Sequence, residues 1–396
     1  MPDDDQKISG SKNAEEALDP VFSSLAAEQN ITEEDWNLFN RLTSVELDDR
    51  EKAMAVSPGR TAPGETELLA VHWHPEWVPM NLIGERLEAS FPDAANSLII
   101  PTQHNKVMTF GPWAGVEADA YDRQYGQKVQ LLIHFRADRL DRAGTFIGMM
   151  ERTYNYRAHQ LLDILSRLAE PDEVSSRVWS SLSCSIPSES LRMARFYAIR
   201  LRALIEMSGI LGSERDEMLK NRLLSDFMLR RVCRRHSVLL EQAMVFINAI
   251  KRSVKAELSP DAFYSPQEII EEARSFGAGV VIPHPPVFWP ILLSDLDVDG
   301  WEVWNSSTPS HTVFLTEALS RANQIQRKRP LLVFMGDDTH MSAKIRLPVS
   351  DQKGSASREI GFQDPWFSQP VRDALNKTNQ SRTNTINEYR DRLLNG

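Results

Sequence analysis

Apolar positions in this chain follow two rhythms. From residue 67 onward, short runs rich in Val, Ile and Leu recur at 68–72, 97–104, 129–134, 279–284 and 330–338, each ending in a polar or potentially ligating residue. The segment Gly300–Asn305, Gly-Trp-Glu-Val-Trp-Asn, has the same form. Runs of this length predict strands buried on both faces. Helical patterns separate several of them, as at 265–274, where Ser265 is suited to cap a helix and Pro266 to begin it. Strand then helix, repeated, predicts a parallel sheet, either open or closed into a barrel. The second rhythm fills 145–258, with Leu219, Leu223, Phe227, Leu240, Met244 and Ile247 at helical spacing and Pro260 beyond them. That stretch is too long for a crossover and predicts a helical insertion. Residues 1–65 are expected to be an acidic, largely disordered extension. Within it, a short helix is expected to start at Thr32, and Pro58, Gly59, Pro63 and Gly64 read as a linker. Residues 351–396 are expected to form a tail with a helix, and no internal repeat is visible.

Chemistry collects at the ends of the apolar runs. His72 and His74, His104, His134 and His284 stand at or beside such ends, and His340 lies two residues past Asp338. In barrels of parallel strands the active groups sit where the C-terminal ends converge. Imidazole suits zinc, iron and manganese, and alternation along a strand points His72 and His74 to one side. Carboxylates neutralise divalent charge and bridge two ions, and Glu117 and Asp338 are candidates for this. Lys106, Lys344 and Arg346 lie close in sequence to these residues and are candidate grips for an anionic substrate. Trp73, Trp77, Trp113, Phe288, Trp289, Trp301 and Trp304 are read as core packing, with a stacking wall as the alternative. His159, His236 and His311 match no pattern and are read as surface or packing residues. Arg230, Arg231, Arg234 and Arg235 are read as a solvated helix face.

These residues, in this order, resemble the polymerase-and-histidinol-phosphatase (PHP) superfamily of metal-dependent phosphoesterases across about residues 67–350. His72-Trp-His74 is similar to its opening His-x-His, and Leu-Ile-Ile-Pro-Thr-Gln-His104 to its second motif. Glu117 after Gly115-Val, His134, Ile-Pro-His284-Pro, the strand at 300–305 and Gly-Asp-Asp338-Thr-His340 complete the set. The resemblance implies an α/β fold, a distorted (β/α)7-type barrel formed by 66–144 and 259–350. It implies two or three divalent ions, zinc, manganese or iron. One would be held by His72, His74, Glu117 and Asp338; a second would share Glu117 with His134 and His284; a third would use His104 and His340. Glu117, Asp338 and His340 would be catalytic, and Lys106, Asn305, Lys344 and Arg346 would contact substrate. The implied reaction is hydrolysis of a phosphomonoester or nucleotide end by in-line attack of a hydroxide between ions. Two departures stand out. Residues 75–81 lack the further histidine of three-metal members, leaving Glu76 or Asn81 to substitute, and Gln103 replaces the usual aspartate.

Composition narrows the rest. The 396 residues carry a net charge of −10, and the first fifty hold thirteen acids against four bases. That balance gives no electrostatic bias toward nucleic acid or an anionic membrane. Two cysteines, Cys184 and Cys233, offer neither a disulfide framework nor a thiolate metal motif, and no run approaches a membrane span. A cytoplasmic enzyme acting on a small phosphorylated molecule or nucleotide is the expectation. Hydrolysis of a non-phosphate bond such as an amide or lactone, or a non-catalytic PHP-like binding module, are the alternatives.

Overall fold

The computed structural model describes residues 30–158, 160–170, 173–182, 186–213, 215–232, 236–257, 259–324, 329–346, 357–376 and 380–396. His159, Cys184, Cys233, Arg234, Arg235 and the first 29 residues lie outside these. The chain forms two compact units, Met1–Val45 with Arg157–Leu258, and Glu46–Tyr156 with Ser259–Gly396.

The first unit is helical, with Glu33–Thr43, Gln160–Ala169, Glu173–Leu182, Ser188–Ser208, Leu223–Arg231 and Ser237–Ala256. Its core gathers Leu161, Ile164, Leu165, Leu201, Phe227, Phe246 and Ile247, and Leu38 and Phe39 of the first helix join it. Thr32 caps that first helix in a capping box with Asp35. The Asp35 carboxylate is fully buried and accepts from Arg200 Nη1 at 2.7 Å and Arg231 Nε at 2.9 Å. This part of the 1–65 segment is thus ordered helix, fixed by burial of one carboxylate between two guanidinium groups. The long helical pattern at 213–258 is broken between Arg231 and Ser237, and Gly209 ends the helix before it in the left-handed conformation.

The second unit is mixed α/β. Its strands among the described residues are β1 (Glu67–Ala70), β2 (Trp73–His74), β3 (Asn96–Ile99), β4 (Gln103–His104), β5 (Met108–Phe110), β6 (Trp113–Asp122), β7 (Gln127–Arg136), β8 (Gly279–Ile282), β9 (Gly300–Asn305), β10 (Leu332–Gly336) and β11 (Thr339–His340). The largest ladder runs β10-β9-β8-β7-β6-β4, with β5 on β6; β1 pairs with β3 and β11 with β2. The expected uniform parallel sheet is corrected here, because β6 and β7 form a ten-residue antiparallel hairpin and β7 is antiparallel to β8. A side chain at Gly115 would collide with the Pro101 carbonyl and Ile100, so only glycine lets β6 come this close to the β3–β4 segment.

Val280, Val281, Val303, Val333, Phe334, Leu131 and Ile133 fill the core of this unit. Phe146, Met149 and Met150 join them, which puts the helix Gly144–Ala158 largely in this unit rather than the helical one. The region at 265–274 is the expected helix, Pro266–Ser275, with Ser265 as cap. Residues 382–395 are not a loose tail. The helix Arg382–Asn395 packs against β1, β3, β7, β8 and β10, with Tyr389 and Leu393 fully buried. No helix among the described residues is long and apolar enough to cross a membrane.

Candidate metal centre

Strand ends, and for Glu117 the middle of β6, deliver seven of the eight expected ligands to one place. β2 and β11 lie parallel with His74 opposite His340, and β4 and β6 lie parallel with His104 opposite Glu117. The backbone N–H of Asp338 donates to the His72 carbonyl at 3.0 Å. Glu117 is at the middle: its oxygens lie 3.8 Å from His72 Nε2, 3.5 Å from His74 Nε2, 3.5 Å from His284 Nε2 and 2.7 Å from His104 Nδ1. Asp338 Oδ1 lies 3.3 Å from His74 Nε2, 3.5 Å from His340 Nε2 and 3.7 Å from His72 Nε2. The His74 ring packs against those of both His104 and His340, with centroids 4.6 and 4.3 Å away, and those two rings lie 6.0 Å from each other.

Orientation comes from a carboxylate that the sequence reading quoted but did not use. Glu302 Oε1 lies 2.6 Å from His72 Nδ1, so that nitrogen donates, and Nε2, turned toward Glu117 and Asp338, is the nitrogen that would hold a cation in place of a proton. Glu302 Oε2 accepts from the His284 backbone N–H at 2.8 Å and from Asn305 Nδ2 at 2.9 Å. A side chain at Gly336 would occupy the space of this carboxylate. Glu76, the expected substitute for a missing histidine, is buried, with Oε1 3.7 Å from His340 Nδ1 and Oε2 accepting from the Ser342 N–H.

The local backbone is unusual. Among the described residues, the non-glycine positions with positive φ are Glu76, Asn105, His284 and Asp338, at 53°, 52°, 27° and 51°. Two are proposed ligands and the other two sit beside them in the chain or in space. Such conformations cost roughly 1–3 kcal/mol each and persist where surrounding contacts enforce them.

Charge is balanced by proximity. Burial pushes the Glu117 carboxyl up, yet the imidazoles of His104, His284 and His72 outweigh it and hold it well below the usual range. Burial would lower His72, but Glu302 overrides it and raises the ring to about 10. At His74, burial and then the His340 and His104 rings outweigh the opposing Asp338 and Glu117 carboxylates and bring it down to about 3. Burial also opposes protonation of His340, and Asp338 and Glu76 overcome it, raising the ring to about 9.

Buried polar atoms without a hydrogen-bond partner gather here: Nε2 of His72, both ring nitrogens of His74 and Nδ1 of His284, while His104 Nδ1 and Glu117 Oε2 have only each other. Leaving such atoms unsatisfied is costly, and a cation would satisfy them. Three groups offer ligand atoms all within 4.8 Å of one another: His72–Glu117–His284, His72–His74–Asp338 and His74–His104–His340. The donor set is imidazole and carboxylate without thiolate, so these residues fit divalent ions of the zinc, manganese and iron type.

His134 does not join them. The carbonyl of Val71 can only accept, so His134 Nε2 carries the proton and donates to it at 2.9 Å; Nδ1 then accepts from the Tyr389 hydroxyl at 2.9 Å. Burial drives this ring down to about 3, so it is neutral, and both nitrogens are engaged. The reason is strand direction. His134 ends β7, which is antiparallel, so it lies opposite Gly279 at the start of β8, whereas His284 follows the end of β8. Removing this ring in His134→Ala is expected to leave metal content unchanged while destabilising the fold by about 2–4 kcal/mol, from a cavity and two broken buried hydrogen bonds. Elemental analysis beside a urea melt checks it; loss of metal would restore His134 to the ligand set.

The expected substrate contacts also change. Asn305 is buried, bound to Glu302 and, through Oδ1, to the Ser307 N–H and hydroxyl. Lys344 is buried against Glu359 at 3.0 Å, and Arg346 pairs with Glu51 at 2.9 Å and stacks over Trp77. Lys106 is exposed on the turn after His104. The cation that does touch a candidate ligand is Arg358, on Asp338 at 2.8 Å, and no sequence pattern marked it. Of the aromatic residues, all but Trp289 are buried, as core packing requires.

No family model matches the chain, and no curated protein matches it. Among solved structures, it is similar to a chain from Bifidobacterium adolescentis named as a candidate metal-dependent phosphoesterase, at 14% identity and a TM-score of 0.39, over 80% of this chain and 98% of that one. At that score the likeness is too loose to carry an argument about activity.

Proposed function

We propose that this chain is a metal-dependent hydrolase of the PHP type acting on a phosphoester, with His72, His74, His104, Glu117, His284, Asp338 and His340 holding two or three divalent ions. The observation that carries the reading is the set of unpartnered buried nitrogens in three overlapping ligand groups. The barrel belongs to this proposal. The segments 67–74, 96–104 and 332–340 each span two short strands, so the three ladders read as one ring of seven staves. Among the described strands of that ring, β7 runs against its neighbours.

Bound divalent ions would supply Lewis acidity and lower the pKa of water toward neutrality. The chain's own residues do the rest. Glu302 fixes the His72 tautomer and, through the His284 N–H, the loop after β8. Glu117 and Asp338 supply negative charge where the imidazoles converge, and each faces three or more of them. His340, between Asp338 and Glu76 and partly exposed, is the imidazole suited to pass a proton to a leaving group.

The test is a chelator-stripped sample reconstituted with Mn, Zn or Fe and offered phosphomonoesters, phosphodiesters, a lactone and an amide. Phosphoester hydrolysis is expected to vanish with EDTA, return with metal, and be absent in His72→Ala and Asp338→Ala. Turnover of the carboxyl substrates alone would move the reaction to a different bond, and metal-free protein after reconstitution would favour a binding module.

A further inference from the structure

We infer that Arg358 recognises the substrate's anionic oxygens with the same guanidinium that fixes Asp338, which makes the substrate a phosphomonoester or terminal phosphate; this rests on the phosphoester reading above. Nη1 of Arg358 donates to the Asp338 carbonyl at 3.0 Å and to its Oδ2 at 2.8 Å. The other carboxylate oxygen, Oδ1, faces His74, His340 and His72. Asp338 therefore stands between the guanidinium and the imidazoles, with one oxygen for each side, and its backbone is held at φ 51°.

A guanidinium has five N–H groups, and the two hydrogens of Nη1 are taken up by Asp338. The Nε–H and the two on Nη2 make no hydrogen bond among the described residues. That unused edge is the planar fork that grips two oxygens of one phosphoryl group. The side chain is 16% exposed, open enough for a ligand to arrive and sheltered enough that its charge is not fully screened. The neighbouring cations are taken: Lys344 and Arg86 bind Glu359, Arg86 also binds the carbonyls of Met54, Ala55 and Ser57, and Arg346 binds Glu51. A phosphomonoester has three non-bridging oxygens, enough to serve the ion-binding centre and a two-pronged fork together. A lactone or amide carbonyl has one oxygen and leaves the fork empty.

The experiment compares full-length wild type, Arg358→Ala and Arg358→Lys after reconstitution with Mn. It measures metal content, binding of inorganic phosphate by calorimetry, and kinetics on p-nitrophenyl phosphate. Arg358→Ala is expected to keep its metal while binding phosphate about 10- to 100-fold more weakly, the size of one charge-assisted hydrogen-bonded pair. KM should rise by a similar factor with kcat changed much less, and Arg358→Lys should recover part of the loss. Wild-type phosphate affinity in Arg358→Ala overturns the inference. So does loss of metal in proportion to loss of phosphate binding, which would leave Arg358 a support for Asp338 alone. Metal-loaded wild type that binds no phosphate overturns the phosphoester reading as well, and it is recognised before any substitution is made.

Discussion

Glu117→Gln is expected to empty the centre of metal and lower activity by more than the ~100-fold that altering a ligand's outer support produces. The side chain is 1% exposed and faces four imidazoles. An amide of the same shape preserves packing, so the change isolates charge. It removes the anion that belongs to the His72–Glu117–His284 group and contacts both histidines of the opening pair. Elemental analysis and p-nitrophenyl phosphate hydrolysis read the two losses together. Retained stoichiometric metal with near-normal turnover would remove Glu117 from the centre and take the proposed function with it.

The second large effect lies in the helical unit. Asp35→Ala is expected to destabilise that unit by about 3–5 kcal/mol, because it removes a fully buried carboxylate paired with the buried Arg200 guanidinium. The carboxylate accepts from Arg200 and Arg231 and also from the Thr32 N–H and hydroxyl, so the first helix loses the reciprocal half of its capping box as well. Since the chain has two compact units, unfolding need not be a single transition. In a urea titration followed by circular dichroism, the variant should show a helical loss at lower urea while metal content is kept. An unshifted helical transition would mean the pair adds nothing to the unit.

Candidate ligands are legible in the sequence where a histidine stands at or just past the C-terminal end of an apolar run that has a parallel partner, as at His74, His104 and His284. The same rule misplaced His134, because run length and composition do not encode direction, and β7 is the reversed strand. β6 was not visible as a strand at all. Its sequence, Trp-Ala-Gly-Val-Glu-Ala-Asp-Ala-Tyr-Asp, alternates small and acidic residues instead of presenting a branched apolar run, although the strand is almost wholly buried. Lys344 and Arg346 were nominated by closeness in sequence to His340, but Glu359 and Glu51, distant in the chain, claim them. Glu302 was within a quoted motif. A carboxylate between Trp301 and Val303 in a buried strand needs a buried partner, and that signal is present in the sequence. Arg358 had none, since it follows a polar stretch with no period.

The helix Arg382–Asn395 has a consequence for biosynthesis. It packs on strands drawn from two separate ladders, yet it is translated after every one of them. Until those residues leave the ribosome, the Tyr389 and Leu393 side chains are missing from the surfaces of β1, β3, β7, β8 and β10, and His134 has no hydroxyl to accept from. The nascent chain therefore carries the loops of the candidate metal centre on an uncovered apolar floor, a state prone to association with other chains.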